Sequence, residues 1–130
     1  MTQLAYADAS ALVKLIVEEP ESRSLHRWYV EAERIITSRI GVIETHRASA
    51  RRPHDPEHRD HVIDDLEVIE LDASIGRAAG LIEPAGIRTL DAIHLATAVR
   101  FLPQLDAFVT YDDRLADAAR ALGLPVVRPA

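Results

Sequence analysis

Short apolar runs rich in β-branched residues alternate with longer stretches of helical periodicity along the whole chain. That alternation constrains the fold more than any other feature of the sequence. It is the pattern of βαβ units, whose crossovers run right-handed and whose strands pair in parallel. Leu4–Ala7 reads as a first strand ending at Asp8, and Ser10 is placed to cap a helix carrying Leu12, Val13, Leu15, Ile16 and Val17 up to Pro20. Residues 21–33 repeat Leu25, Trp28, Tyr29 and Ala32 at helical spacing. Residues 35–38 form a second strand, and Ser38 caps a third helix through Ile40, Ile43, Glu44 and Arg47. After a break at Pro53 and Pro56, residues 57–67 are helical with Val62, Ile63 and Leu66 inward, and residues 68–71 make a third strand. Residues 72–83 are helical, with Ile75, Ala78, Ala79 and Ile82 on one side. Thr89 opens a strongly apolar helix that Pro103 ends. Residues 107–110 are a fourth strand, residues 112–122 a short helix stopped by Gly123, and residues 125–127 a last strand. The expected architecture is α/β: a twisted parallel sheet of four to five short strands between two helical layers, in one domain over residues 1–130.

Composition narrows the chemistry. The chain has no cysteine, so disulfides, zinc–thiolate sites and thiol nucleophiles are excluded. No apolar run approaches a membrane span, and the N-terminus lacks the pattern of a signal peptide, so a cytoplasmic protein with no membrane partner is expected. The formal net charge of −6 taken alone argues against a nucleic-acid binder, because phosphates want a positive surface.

The placement of the acids is more informative. Asp8 follows the first strand and Asp112 the fourth; Asp91 lies in the first turn of the apolar helix, and Glu44 interrupts an otherwise apolar helix start. Ligands of open parallel sheets bind beyond the carboxyl ends of the strands at the switch point, where Asp8 and Asp112 both fall if strands one and four are neighbours. Each acid also has a plain role: Asp91 and Asp112 suit helix starts, Asp8 suits a turn, and Glu44 can pair with Arg47 three residues on. Convergence of all four would place up to four negative charges in one cleft, which demands either protonated carboxyls or cations. Oxygen donors without cysteine favour Mg²⁺ or Mn²⁺. Ser10 and Thr110 flank two of the acids and can orient a carboxylate.

These residues resemble a known family. Asp8-Ala9-Ser10-Ala11-Leu12-Val13-Lys14, the Glu in Val42-Ile43-Glu44, the block Arg88 to Ala98 reading RTLDAIHLATA, and Phe108-Val109-Thr110-Tyr111-Asp112-Asp113-Arg114-Leu115 are similar to the PIN-domain ribonucleases, specifically the VapC-type toxins of toxin–antitoxin pairs. The resemblance runs from Tyr6 to Val127. It implies a PIN-like three-layer α/β/α sandwich and an endoribonuclease dependent on Mg²⁺ or Mn²⁺. It further implies that Asp8, Glu44, Asp91 and Asp112 form the catalytic and metal-binding quartet, with Asp113 a helper. The implied partners are an RNA substrate, a VapB-type antitoxin and a second copy in a homodimer.

A basic rim would reconcile the acidic balance with RNA. Residues 45–61 hold Arg47, Arg51, Arg52 and Arg59 with four histidines, and Arg47, Arg51, Arg52 and Arg114 are the expected phosphate contacts, against the plainer reading of a solvated hairpin. His94 could act as a general base or make a structural hydrogen bond. Trp28 and Tyr29 could meet a partner helix or pack in the core. Two competing classes stand beside the nuclease. One is a non-catalytic PIN-like RNA-binding module, which the intact quartet disfavours. The other is a receiver-like phospho-acceptor domain, disfavoured because the sole lysine, Lys14, lies in the first helix and not after the last strand.

Overall fold

The computed structural model describes residues 2–130. Its elements run β1 (Leu4–Ala7), α1 (Ala9–Ile16), α2 (Ser22–Glu31), β2 (Arg34–Ser38), α3 (Arg39–Ser49), α4 (Pro56–Asp64), β3 (Glu67–Ile69), α5 (Ala73–Gly80), α6 (Thr89–Val99), β4 (Ala107–Val109), α7 (Asp113–Ala121) and β5 (Val126–Val127). All strands are parallel, in the order β3-β2-β1-β4-β5. The chain builds outward from β1 to β3, then returns to the other side of β1 to add β4 and β5. The switch point therefore lies between β1 and β4, where Ala7 is opposite Val109.

The central strands are buried on both faces, and their two-residue period sorts the core into two layers. Ala5 and Ala7 of β1, Ile35 of β2, and Ala107 and Val109 of β4 face Leu12, Leu15 and Ile16 of α1, Leu25 of α2 and Val62 of α4. The alanines on this face let α1 lie close to the sheet. Leu4 and Tyr6, Ile36 and Phe108 face the opposite layer, where Leu95 and Ala98 of α6 meet Leu115 and Ala119 of α7. The rings of Tyr6 and Phe108 stack with centroids 5.2 Å apart. Trp28 and Tyr29 are half-buried against the first layer, which gives them a packing role.

Caps fix the element ends. Asp8, and not Ser10, is the N-cap of α1: its carboxylate accepts from the Ala11 amide at 3.1 Å, while Ser10 lies inside the first turn. Ser38 caps α3 as its position suggests, accepting from Gly41 N at 3.0 Å. The α5 helix is shorter than its periodicity suggests, ending at Gly80 and leaving Ala78 exposed, with Ile82 packed from the following turn. The apolar α6 stops at Val99, before Pro103. At the amino edge of the sheet, the Asp106 carboxylate accepts from the amides of Gln3 and Leu4 at 2.9 and 3.0 Å. Those two amide bonds hold its carboxyl below the usual range. Gly123, at φ +82°, makes the left-handed turn that ends α7.

The two-layer core sets a contrast in mutational cost. Leu95→Ala, at a site with 0% exposure, is expected to lower unfolding free energy by about 2–5 kcal/mol. Leu81→Ala, at 66% exposure, should shift it by less than about 0.5 kcal/mol in the same urea titration.

Candidate active site

The carboxyl ends of β1, β2 and β4 and the start of α6 bring the four acids to one edge of the sheet. Asp8 stands at the switch point and is only 4% exposed. It accepts three hydrogen bonds: Ser10 Oγ at 2.7 Å and the Ala11 amide at 3.1 Å to Oδ1, and Thr110 Oγ1 at 2.7 Å to Oδ2. Ser10 Oγ also accepts from the Tyr111 amide at 2.8 Å, and Thr110 Oγ1 from the Asp112 amide at 3.0 Å. The two hydroxyls thus stitch the β1–α1 turn to the β4–α7 turn through one carboxylate. Burial is the dominant influence on Asp8 and pushes its carboxyl above the ordinary range, against the pull of these donors.

Glu44 projects from the second turn of α3, half-buried. It does not pair with Arg47. Its Oε1 meets Nε2 of His94 at 2.6 Å, and His94 Nδ1 meets the hydroxyl of Tyr6 at 2.6 Å. His94 is 2% exposed with both ring nitrogens engaged, so its role is the structural bond and no lone pair is free for base chemistry. Burial drives the phenol of Tyr6 far above its usual range, so it keeps its proton. A close approach of α3 to α6 makes this bridge possible. A Cβ at Gly41 would collide with Thr37 Oγ1 and come within 3.3 Å of His94 Cε1.

Asp91 lies in the first turn of α6, where its charge suits the helix dipole, and the N-cap residue Arg88 makes no side-chain cap bond. Its carboxyl is pushed up, first by desolvation and then by the charge of Asp112, with Glu44 adding to the same effect. Asp112 does cap α7, accepting from Leu115 N at 3.1 Å through Oδ1. Asp113 turns away to an exposed ion pair with Arg128 at 2.6 Å.

The donor set fits a hard divalent cation in kind. The acids are all oxygen donors, the charges of Asp112 and Glu44 add to the burial that raises the carboxyl of Asp91, and the one imidazole among them is fully occupied. Among the described residues, no three carboxylate or imidazole groups are gathered into a ready coordination sphere; the acids border the cleft and do not meet at a point.

Arginines flank the acids on both sides. Arg47 and Arg51 line a groove of about 640 Å³ that also contains Ser10, Glu44 and Leu90. Arg52 is tied to Glu19 at 3.2 Å. On the other side, Arg114 and Arg88 border a smaller hollow of about 220 Å³ with Asp91. Arg88 and Tyr6 are the site residues that sequence reasoning missed. Arg88 adjoins the Thr89-Leu90-Asp91 segment, a signal that was available; Tyr6 inside a strand looks like ordinary core. No helix among the described residues is long and apolar enough to cross a membrane.

Comparison with known proteins agrees with this geometry. The PIN domain model matches residues 5–121. Ribonuclease VapC47 of Mycobacterium tuberculosis is 38% identical over 132 aligned positions, covering 97% of each chain. Two solved structures share the fold. Mycobacterium tuberculosis VapC20, described as a sarcin–ricin loop cleaving toxin, superposes with a TM-score of 0.72 at 17% identity over 96% of this chain and 99% of its own. VapBC2 from Rickettsia felis, bound to a DNA fragment from its promoter, gives 0.68 at 15% identity over 98% and 100%.

Two outcomes test the site. A group whose pKa is raised on folding contributes stability below its unfolded value and loses it as pH rises through the folded one. In metal-free protein Asp8→Asn should therefore gain in melting temperature over the parent as pH climbs above about 4, and the gain should shrink when Mn²⁺ is added. Gly41→Ala should cost about 1–3 kcal/mol by overpacking in denaturant unfolding.

Proposed function

This chain belongs to the PIN-domain family, among relatives named VapC ribonucleases, and we propose that it is a metal-dependent endoribonuclease serving as the toxin of a toxin–antitoxin pair. The observation that carries the reading is the switch-point cleft, where four carboxylates from separate elements share one edge and two of them resist ionisation. Asp8, Glu44, Asp91 and Asp112 would hold Mg²⁺ or Mn²⁺. When bound, such an ion stabilises charge on phosphoryl oxygens and lowers the pKa of water.

The chain's own groups do the positioning. Ser10 and Thr110 fix both oxygens of Asp8, so its remaining acceptor capacity has one direction. Glu44 is restrained through His94. Asp91 and Asp112 supply negative charge that is costly alone and favourable beside a cation. Arg47 and Arg51 on one side, with Arg88 and Arg114 on the other, suit the phosphates of an RNA strand crossing the acids. Sequence is then read elsewhere, because phosphate contacts carry no base information. A VapB-type antitoxin and a second copy of the chain are the partners this reading assigns, and a cytoplasmic site of action follows from an RNA target.

The deciding experiment compares the parent with Asp91→Asn on total RNA. Cleavage should need Mg²⁺ or Mn²⁺ and fall at least about 100-fold in the variant, with circular dichroism unchanged. Cleavage that persists in excess chelator would overturn the mechanism, and RNA binding without any cleavage would favour the non-catalytic module. Charge reversal at Arg47 and Arg51 should weaken RNA binding and reduce the slope of log affinity against log salt by about one per lost phosphate contact. An unchanged slope would remove them from the RNA path.

A further inference from the structure

Tyr6 and His94 lie beneath the cleft and outside the quartet, and both are buried, Tyr6 among the apolar side chains of the second layer. Burying a phenol and an imidazole costs free energy unless each polar atom finds a partner. Here each does, in one line: the Tyr6 hydroxyl to Nδ1, and Nε2 to Glu44 Oε1, both at 2.6 Å. The line joins β1, α6 and α3, three elements distant in sequence.

Its direction follows from the donor inventory. An ionised carboxylate only accepts, so Nε2 must carry the proton that Glu44 receives. In the neutral ring Nδ1 is then an acceptor, and the phenol is the group that donates to it. The imidazole lies off the hydroxyl end of Tyr6 and nearly perpendicular to its ring, at 83° with centroids 5.8 Å apart, while Phe108 stacks flat on the Tyr6 ring. Packing therefore fixes both rings. The Cε1 edge of His94 faces the bare backbone of Gly41, where an added Cβ would come within 3.3 Å of it.

We propose that Tyr6 and His94 are positioning residues that pre-orient the Glu44 carboxylate for the divalent cation, with Tyr6 selecting the Nε2–H tautomer of His94. This rests on the reading of Glu44 as a cation ligand. Neither residue touches the substrate or the cation. The chemistry is that of an outer-layer hydrogen bond that fixes a ligating carboxylate, whose loss typically costs about 10–100-fold in metal affinity or activity. His94 is the one hydrogen-bond donor to Glu44 among the described residues. Asp8 has three donors of its own and Asp112 is held by a backbone amide, whereas Glu44 extends on a longer side chain from a helix face.

The test uses the full chain. In metal-free parent protein, ¹⁵N–¹H correlation of the imidazole should show His94 protonated at Nε2 and bare at Nδ1; the opposite tautomer overturns the proposal. Tyr6→Phe keeps the ring stack and removes only the donor. It should remain folded, blur the tautomer preference and raise the Mn²⁺ dissociation constant, read by electron paramagnetic resonance, by about 10-fold. His94→Gln, which retains an N–H donor, should be milder than His94→Leu in Mn²⁺ affinity and in kcat, with KM for RNA unmoved in all three. Folded Tyr6→Phe and His94→Gln that bind Mn²⁺ like the parent would overturn the proposal even if His94→Leu does not fold. A parent that shows the expected tautomer but binds no Mn²⁺ would instead bring down the metal reading of the cleft, and with it the role assigned to the relay.

Discussion

The carboxylate of Asp8 is the knot that holds this edge of the molecule. One residue ends a central strand, caps the helix that follows it, and receives the hydroxyl of Thr110 from the neighbouring strand's end. Such a group cannot be replaced by an apolar side chain without taking from two hydroxyls the acceptor they donate to, and it cannot be charged cheaply where it sits. The parallel sheet requires the first of these conditions, since β1 and β4 must end side by side; the cleft depends on the second. The distribution of the other acids follows from the same topology. With β1 in the middle and the chain reversing direction beside it, the ends of β1, β2 and β4 and the start of α6 all open to one side.

Much of this was legible in the chain. The order of the twelve elements follows from alternating periods, and β1 falls on its expected residues, because apolar runs and helical spacing are local signals. Asp8 and Asp112 could be placed at strand ends for the same reason. The errors are instructive. Ser10 looked like the cap because serine is a good one, but Asp8 two residues earlier takes the amide and Ser10 serves Asp8. Glu44 looked free to pair with Arg47 because i,i+3 neighbours can be counted along a helix. Its actual partner is fifty residues away and emerges only when α3 and α6 are packed. The periodicity over residues 72–83 suggests a longer and more buried helix than α5, since alanine spacing cannot distinguish a core face from a surface one.

Charge shows the same division between local and assembled information. Fourteen of the fifteen Lys and Arg residues are arginine, and composition alone cannot say which of them are occupied. Folding sorts them. Arg34, Arg39, Arg52, Arg100 and Arg128 are tied to acids on other segments and Arg120 to Asp117 on its own helix, whereas Arg47, Arg51, Arg88 and Arg114 line the hollows beside the quartet. An overall negative protein can thus present a basic margin to a polyanion, because what a phosphate meets is a neighbourhood and not a sum.

Asp106 gives the sheet a polarity of a different kind. At the amino rim its carboxylate is stabilised as an anion by two backbone amides; at the opposite rim Asp8 and Asp91 are pressed toward the neutral acid. Acidification therefore acts on the two ends in contrary senses and in separate windows: it relieves the crowded end above about pH 4 and loosens the clasp on Gln3 and Leu4 only below that value. A whole-molecule melting curve places the two contributions on opposite flanks of its profile. The proton sensitivity of the molecule is better seen as a gradient along its strands than as a single number.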